Sequence, residues 1–273
     1  MTLDSARPHS PIAATATAAT HATPAGTGQP ALRATRTRIK ICGLTREEDV
    51  DAAVAAGVDA VGFVLFAPSA RAVTPQRAAQ LARRLPPFVT PVLLFVNETA
   101  INIIAASALI QGATLQFHGD ESPEDCLAAT AGGAHPYLRA ARIPLGDGAL
   151  RFDLVKYAHD YSHAQAILLD AHVDGYGGGG KAFNWSLLPP SVDSHLVLSG
   201  GLTPANVIDG ILQVRPRGLS LAVDVSSGVE ADGPDGQPLK GIKDADKIQR
   251  FVAAVRAADA QLAKNSHDLL SAT

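Results

Sequence analysis

From Arg38 to Arg256, short β-branched and apolar runs alternate with Ala-rich amphipathic segments, and the alternation completes eight times. The strands read as 39–42, 60–66, 92–96, 114–117, 137–141, 166–169, 196–199 and 219–225. Each is followed by a return segment, so the repeating unit is the βα unit of parallel folds. Eight such units in about 220 residues fit a closed (β/α)8 TIM barrel better than a doubly wound sheet of five or six strands. No G-x-G-x-x-G follows the first strand, which also counts against a dinucleotide-binding fold. Within that first strand Ile39 and Ile41 share one face, and Lys40 and Cys42 share the other. Gly43 ends it, and Thr45 with Glu48 has the spacing of a helix capping box.

Composition narrows the function. The chain has 273 residues, 47% hydrophobic and 18% charged, with a formal net charge of -3. Without a basic surplus, nucleic acid is not expected as a main partner, and a small anion held locally fits better. No apolar run reaches the length of about 18 residues that spans a bilayer, so no membrane partner is expected. The two cysteines, Cys42 and Cys126, lie far apart in different kinds of segment. They suggest free thiols in a reducing, cytoplasmic setting, with Cys126 a small buried hydrophobe. Residues 1–37 are rich in Ala, Thr and Pro and read as a disordered leader, with a transit peptide as the alternative reading of its acid-poor, Arg-bearing composition. The barrel is expected over 38–260, followed by a frayed tail over 261–273.

In a barrel every strand's carboxyl end faces one mouth, so Cys42, Arg71, His118, Asp170, Gly200-Gly201 and Ser226-Ser227-Gly228 are expected to converge there. The glycine-bearing turns after strands seven and eight expose N–H groups, and a helix expected from Thr203-Pro204 adds its positive end. Together they favour a phosphorylated small-molecule substrate over glycines that merely make turns. Asp170 is a candidate acid or the cap of a turn. An ordinary aspartate is only about 0.1% protonated at pH 7, so the acid role needs a shifted equilibrium or a proton recruited in the complex. Cys42 is a candidate base or a small buried residue. A free thiol near 8.5 is only about 3% ionised at pH 7, and Lys40 on its face is expected to lower that value. Arg71 either grips a carboxylate bidentately or is a solvated loop residue. Asp224 holds a ribose hydroxyl or orients the lower barrel, and His118 contacts substrate or bonds backbone. His159 and His163 stand at i, i+4, but no third ligand motif accompanies them, so a solvated helix face is preferred and no metal is expected. The run Gly175 to Lys181 is too glycine-rich for a helix and reads as a lid, with at most a short helix near 184–188.

These motifs assemble into a pattern. Lys40-Ile41-Cys42-Gly43-Leu44-Thr45, Gln116-Phe117-His118-Gly119, Leu168-Leu169-Asp170-Ala171, Gly177 to Lys181 with Phe183 and Trp185, Ser199-Gly200-Gly201-Leu202 and Val223 to Glu230 together closely resemble the phosphoribosylanthranilate isomerases of tryptophan biosynthesis. The resemblance covers about 38–256 with the motifs in order. It implies an Amadori rearrangement without a cofactor, with Asp170 as general acid, Cys42 as general base, Arg71 near the anthranilate carboxylate, and Gly200, Gly201, Ser226, Ser227 and Gly228 around the phosphate. Lys40, His118 and Asp224 are expected nearby as substrate-binding residues, and the protein is expected as a monomer or homodimer. The chain departs from the family pattern at Ser69-Ala70-Arg71, where Ser-Pro-Arg is frequent, and at the four glycines before Lys181. Two other readings compete: a barrel forming a Schiff base on Lys40, and a non-catalytic sugar-phosphate binder.

Overall fold

A computed structural model describes residues 36–171 and 182–271. The leader through residue 35 and the glycine-rich run at 175–181 lie outside the described residues. Eight parallel strands close in sequence order: β1 (Arg38–Cys42), β2 (Ala60–Val64), β3 (Thr90–Phe95), β4 (Thr114–Phe117), β5 (Tyr137–Ile143), β6 (Ala166–Ala171), β7 (His195–Leu198) and β8 (Ser220–Val225). The barrel shuts where β1 pairs β8, with Ile39 opposite Val223 and Lys40 opposite Asp224. It matches the architecture expected from the βα alternation.

The two-residue period sorts the side chains. Ile39, Ile41, Phe63, Leu93, Leu115, Phe117, Ile167 and Leu169 are buried between the barrel and its helices. Inward positions form a second set, with Cys42, Val64, Leu94 and Val96 in one cluster and Ala140, Ala166, Leu168 and Val197 in another. The jacket consists of α1 (Glu47–Ala55), α2 (Pro75–Ala82), α3 (Ala100–Ser107), α4 (Pro123–Ala129), α5 (Leu154–Asp160), α6 (Val207–Val214) and α7 (Ala245–Ser271). Pro75 and Pro123 each open a helix behind a capping hydroxyl, Thr74 or Ser122, as proline's fixed φ and missing N–H permit. Between β6 and β7 the described residues hold only a 3-10 turn, Trp185–Leu187.

Four local expectations change. The Thr45–Glu48 capping box does not form, because the Thr45 hydroxyl donates to the Gly241 carbonyl at 2.7 Å and α1 begins behind Arg46. Helix α6 starts at Val207 rather than Thr203, since the Asn206 side chain accepts the Thr203 N–H at 2.8 Å and holds 203–206 as a turn. After β8 the chain makes a hairpin, β9 (Glu230–Asp232) with β10 (Pro238–Lys243), turned at Gly233-Pro234-Asp235-Gly236. Helix α7 continues past Lys264 to Ser271, where fraying was expected. Among its described side chains the last fully buried one is Ala258, and Leu262 packs partly buried against the core.

The amino end of β1 is tied to α7. Asp259 accepts the Thr37 N–H at 2.9 Å, the Thr37 hydroxyl at 2.5 Å and Arg215 at 3.1 Å. Removing this acceptor leaves buried donors unmatched. Asp259→Ala is expected to cost about 1–3 kcal/mol, read as a lower urea midpoint with the slope unchanged.

Candidate active site

The residues singled out from the sequence meet at the carboxyl ends of the strands, on two sides of one mouth. On the first side, Lys40 and Cys42 point inward from β1 and are 4% and 5% exposed. Room for them comes from Gly62 on β2, where a Cβ would stand 2.7 Å from the Cys42 Sγ and 3.1 Å from the Lys40 Nζ. Lys40 Nζ donates to Asp224 Oδ1 at 2.9 Å, and the Ser199 hydroxyl donates to Oδ2 at 3.4 Å. Burial opposes the Lys40 charge, yet Asp224 and the Cys42 sulfur outweigh it and hold the ammonium above the ordinary lysine range.

Lys40 acts on the Cys42 thiol in the lowering direction its neighbouring position suggested, but burial is the larger influence and leaves the thiol raised. Burial pushes Cys42 up, Lys40 opposes, and Asp224 reinforces the rise. The lysine is already neutralised by its carboxylate partner. Cys126 is fully buried on α4, and burial pushes its thiol up to about 12.

Arg71 lies in a loop over Gly43, where a Cβ would come within 2.6 Å of the Arg71 Cδ and 3.1 Å of the Ser226 Oγ. Its guanidinium is not solvated. Nε and Nη2 donate to Glu230 Oε1 and Oε2 at 2.7 and 2.8 Å, leaving the edge formed by Nη1 and the second Nη2 hydrogen. Glu230 is wholly buried and also accepts Gly241 N–H at 2.8 Å and Lys243 Nζ at 3.2 Å. Lys243 in turn donates to the Ser226 carbonyl at 3.0 Å and hydroxyl at 3.3 Å.

These contacts set opposite directions. Burial opposes the Glu230 charge, but Arg71, Lys243 and the Gly241 N–H hold the carboxyl below its ordinary range. Burial and the Arg71 charge pull Lys243 down against Glu230.

Across the mouth, Asp170 ends β6. The Ala171 N–H donates to Asp170 Oδ1 at 2.9 Å, and His118 Nε2 lies 2.8 Å from Oδ2. His118 therefore bonds a carboxylate rather than backbone. Gly200 gives Asp170 its space, since a Cβ there would stand 2.6 Å from Oδ1. Gly200 and Gly201 turn the chain at φ +76° and +65°, which a side chain would resist. The loop after β8 coils as the 3-10 turn Ser227–Val229, and a Cβ on Gly228 would run into the Leu202 carbonyl. The two loops thus touch. The helix dipole expected from Thr203 is set back to Asn206.

The model for the N-(5'-phosphoribosyl)anthranilate (PRA) isomerase family matches residues 39–254. The chain belongs to this family. A PRA isomerase of Methylibium petroleiphilum is 61% identical over 228 residues, 84% of this chain and 98% of that relative. The phosphoribosylanthranilate isomerase structure from Thermotoga maritima aligns with a TM-score of 0.68 at 38% identity, covering 81% of this chain and 99% of the other. A further PRA isomerase, solved in complex with reduced 1-(o-carboxyphenylamino)-1-deoxyribulose 5-phosphate, aligns at 0.62 with 34% identity, covering 81% and 99%. No helix among the described residues is long and apolar enough to cross a membrane.

Within this PRA isomerase barrel, the sequence reading missed Gln116, Glu230 and Lys243 as members of the mouth. Gln116 and Glu230 sat inside recognised motifs without a role. Lys243 lies on the hairpin, whose Gly-Pro-Asp-Gly turn was the available signal.

Glu230 gathers the arginine, the lysine and the Ser226 loop, so its loss strands buried charge. Glu230→Gln is expected to lose about 3–5 kcal/mol by urea unfolding. Because the carboxyl is held down in the fold, its contribution is present above the unfolded-state value and lost as pH falls through the folded one. The variant should therefore lose less stability than the wild type on acidification.

Proposed function

We propose that this chain converts N-(5-phosphoribosyl)anthranilate to 1-(2-carboxyphenylamino)-1-deoxyribulose 5-phosphate in tryptophan biosynthesis, with Asp170 as general acid and Cys42 as general base. The observation that carries the reading is a thiol and a carboxylate at one mouth, at the ends of β1 and β6, each against a glycine. The solved relative described above holds a reduced form of this product.

The chemistry follows from the two groups. Asp170 passes a proton to the furanose ring oxygen as the C1–O bond opens, leaving a Schiff base to the anthranilate nitrogen. The Cys42 thiolate takes the C2 proton, and the released electron pair flows towards the iminium nitrogen. The enolamine then tautomerises to the ketone, so composition is conserved. Gly200, Gly201, Ser226, Ser227 and Gly228 take the phosphate, and the remaining edge of Arg71 takes the anthranilate carboxylate. Lys40 and Asp224 neutralise each other beside the base, which argues against Lys40 as a Schiff-base nucleophile, since that role needs a free amine.

Purified protein should isomerise the substrate and restore growth to a tryptophan-requiring strain lacking this isomerase. Cys42→Ala and Asp170→Asn should each lower kcat about 10²- to 10⁴-fold while staying folded. A loss below tenfold removes that residue from its role.

The protonation of the base has its own test. Alkylation of Cys42, followed by mass spectrometry, should reach half-maximal rate at a higher pH than for a free thiol. In Asp224→Asn that midpoint should move down, because the carboxylate raises the thiol and masks Lys40. An upward move or none contradicts the assignment.

A further inference from the structure

The acid proposed above has a proton problem. Asp170 Oδ1 accepts the Ala171 N–H and Oδ2 faces His118 Nε2, so with a proton on Nε2 both oxygens are placed to accept. The question is what loads it.

His118 is 5% exposed, and its other ring nitrogen, Nδ1, lies 2.9 Å from Gln116 Nε2. An amide nitrogen only donates, so in this arrangement Nδ1 accepts and the ring proton sits on Nε2, aimed at Asp170. Gln116 is fully buried, and its Oε1 has no hydrogen-bond partner among the described residues. Turning the amide over would point Oε1 at Nδ1 and leave Nε2 unmatched instead. Either orientation satisfies one amide end, so the amide can follow a change of protonation at Nδ1. The other charged side chains around this loop are paired elsewhere: Glu121 with Arg139 at 3.1 Å and Asp120 with Arg142 at 3.3 Å. Asp170 is the one charged group bonded to the imidazole among the described residues.

We propose that His118 is the proton-supplying positioning residue of this site, loading Asp170 through Nε2 while the Gln116 amide turns to accept Nδ1–H. This rests on Asp170 being the acid. One solvent proton binds Nδ1, giving an imidazolium beside a carboxylate. The Nε2–H bond then breaks as Oδ2–H forms, giving neutral imidazole protonated at Nδ1 and a carboxylic acid. The acid gives that proton to the ring oxygen, leaving a carboxylate beside Nδ1–H imidazole; loss of the Nδ1 proton to solvent and uptake of one at Nε2 restore the starting tautomer as the amide turns back.

The test uses the full chain labelled with 15N-histidine, the His118 signal being the one lost in His118→Gln or displaced in Asp170→Asn. At alkaline pH the Nε2–H tautomer is expected, and at acid pH protonation of both nitrogens. His118→Gln keeps a donor for Asp170 but no titratable proton. Its kcat should fall at least about tenfold with KM within about twofold. Its pH–rate profile should differ from the wild type by the limb that depends on the His118 proton. Gln116→Leu should keep KM and lower kcat, while the Asp170 carboxylate still holds the Nε2–H tautomer at alkaline pH. If His118→Gln does not fold, the wild-type tautomer and Gln116→Leu decide. Wild-type kcat and pH profile in His118→Gln, or an Nδ1–H tautomer at alkaline pH, overturns the relay. If Asp170→Asn itself stays active, the acid assignment fails; if Asp170→Asn is inactive and His118→Gln is unimpaired, only the relay fails.

Discussion

Barrel closure depends on a seam between the first and last strands, and at that seam lies a buried ion pair. Lys40 on β1 and Asp224 on β8 are opposite each other in register and bonded at 2.9 Å. Either charge alone inside a barrel would carry a desolvation cost of several kcal/mol. Together they specify the register, because a slip of β1 by one residue would turn Lys40 outward, bring Ile39 and Ile41 in and leave Asp224 buried without its partner. The same pair fixes the surroundings of Cys42, one alternation further along β1. Closure of the fold and protonation of the candidate base thus share one interaction.

Beyond the seam, the Ser226 side of the mouth carries an excess of positive charge. Lys40 and Asp224 cancel, while Arg71 and Lys243 share the single carboxylate of Glu230. One positive charge is left over beside the Ser226 loop, a suitable setting for a phosphorylated ligand in a chain whose overall charge is negative. The opposite wall has a different character. There the hydrogen bonds run from Gln116 through His118 to Asp170, and they govern proton position more than net charge.

The strands were legible because burial imposes a period of two, and the period places Lys40 and Cys42 on one inward face. Asp170 and the glycine turns were legible because barrels put chemistry at strand ends. What could not be read is pairing over distance. Nothing in the spacing joins Lys40 to Asp224, 184 residues apart, or Arg71 to Glu230, 159 apart. A charged residue in a connecting segment is ordinarily solvated, so nothing in the sequence marks Lys243 as one the hairpin buries beneath the mouth. The Thr45 cap failed for a related reason: its hydroxyl has a better-placed acceptor in Gly241, on that same hairpin.

The hairpin also imposes an order of assembly. Arg71 leaves the ribosome early, but the carboxylate and lysine that fix it follow only after all eight strands have been made. A nascent chain can lay down β1 to β4 and their helices through short-range contacts, while Arg71 stays unbraced. Binding competence is therefore acquired at the end of synthesis, and truncated products should carry most of the barrel without a finished mouth.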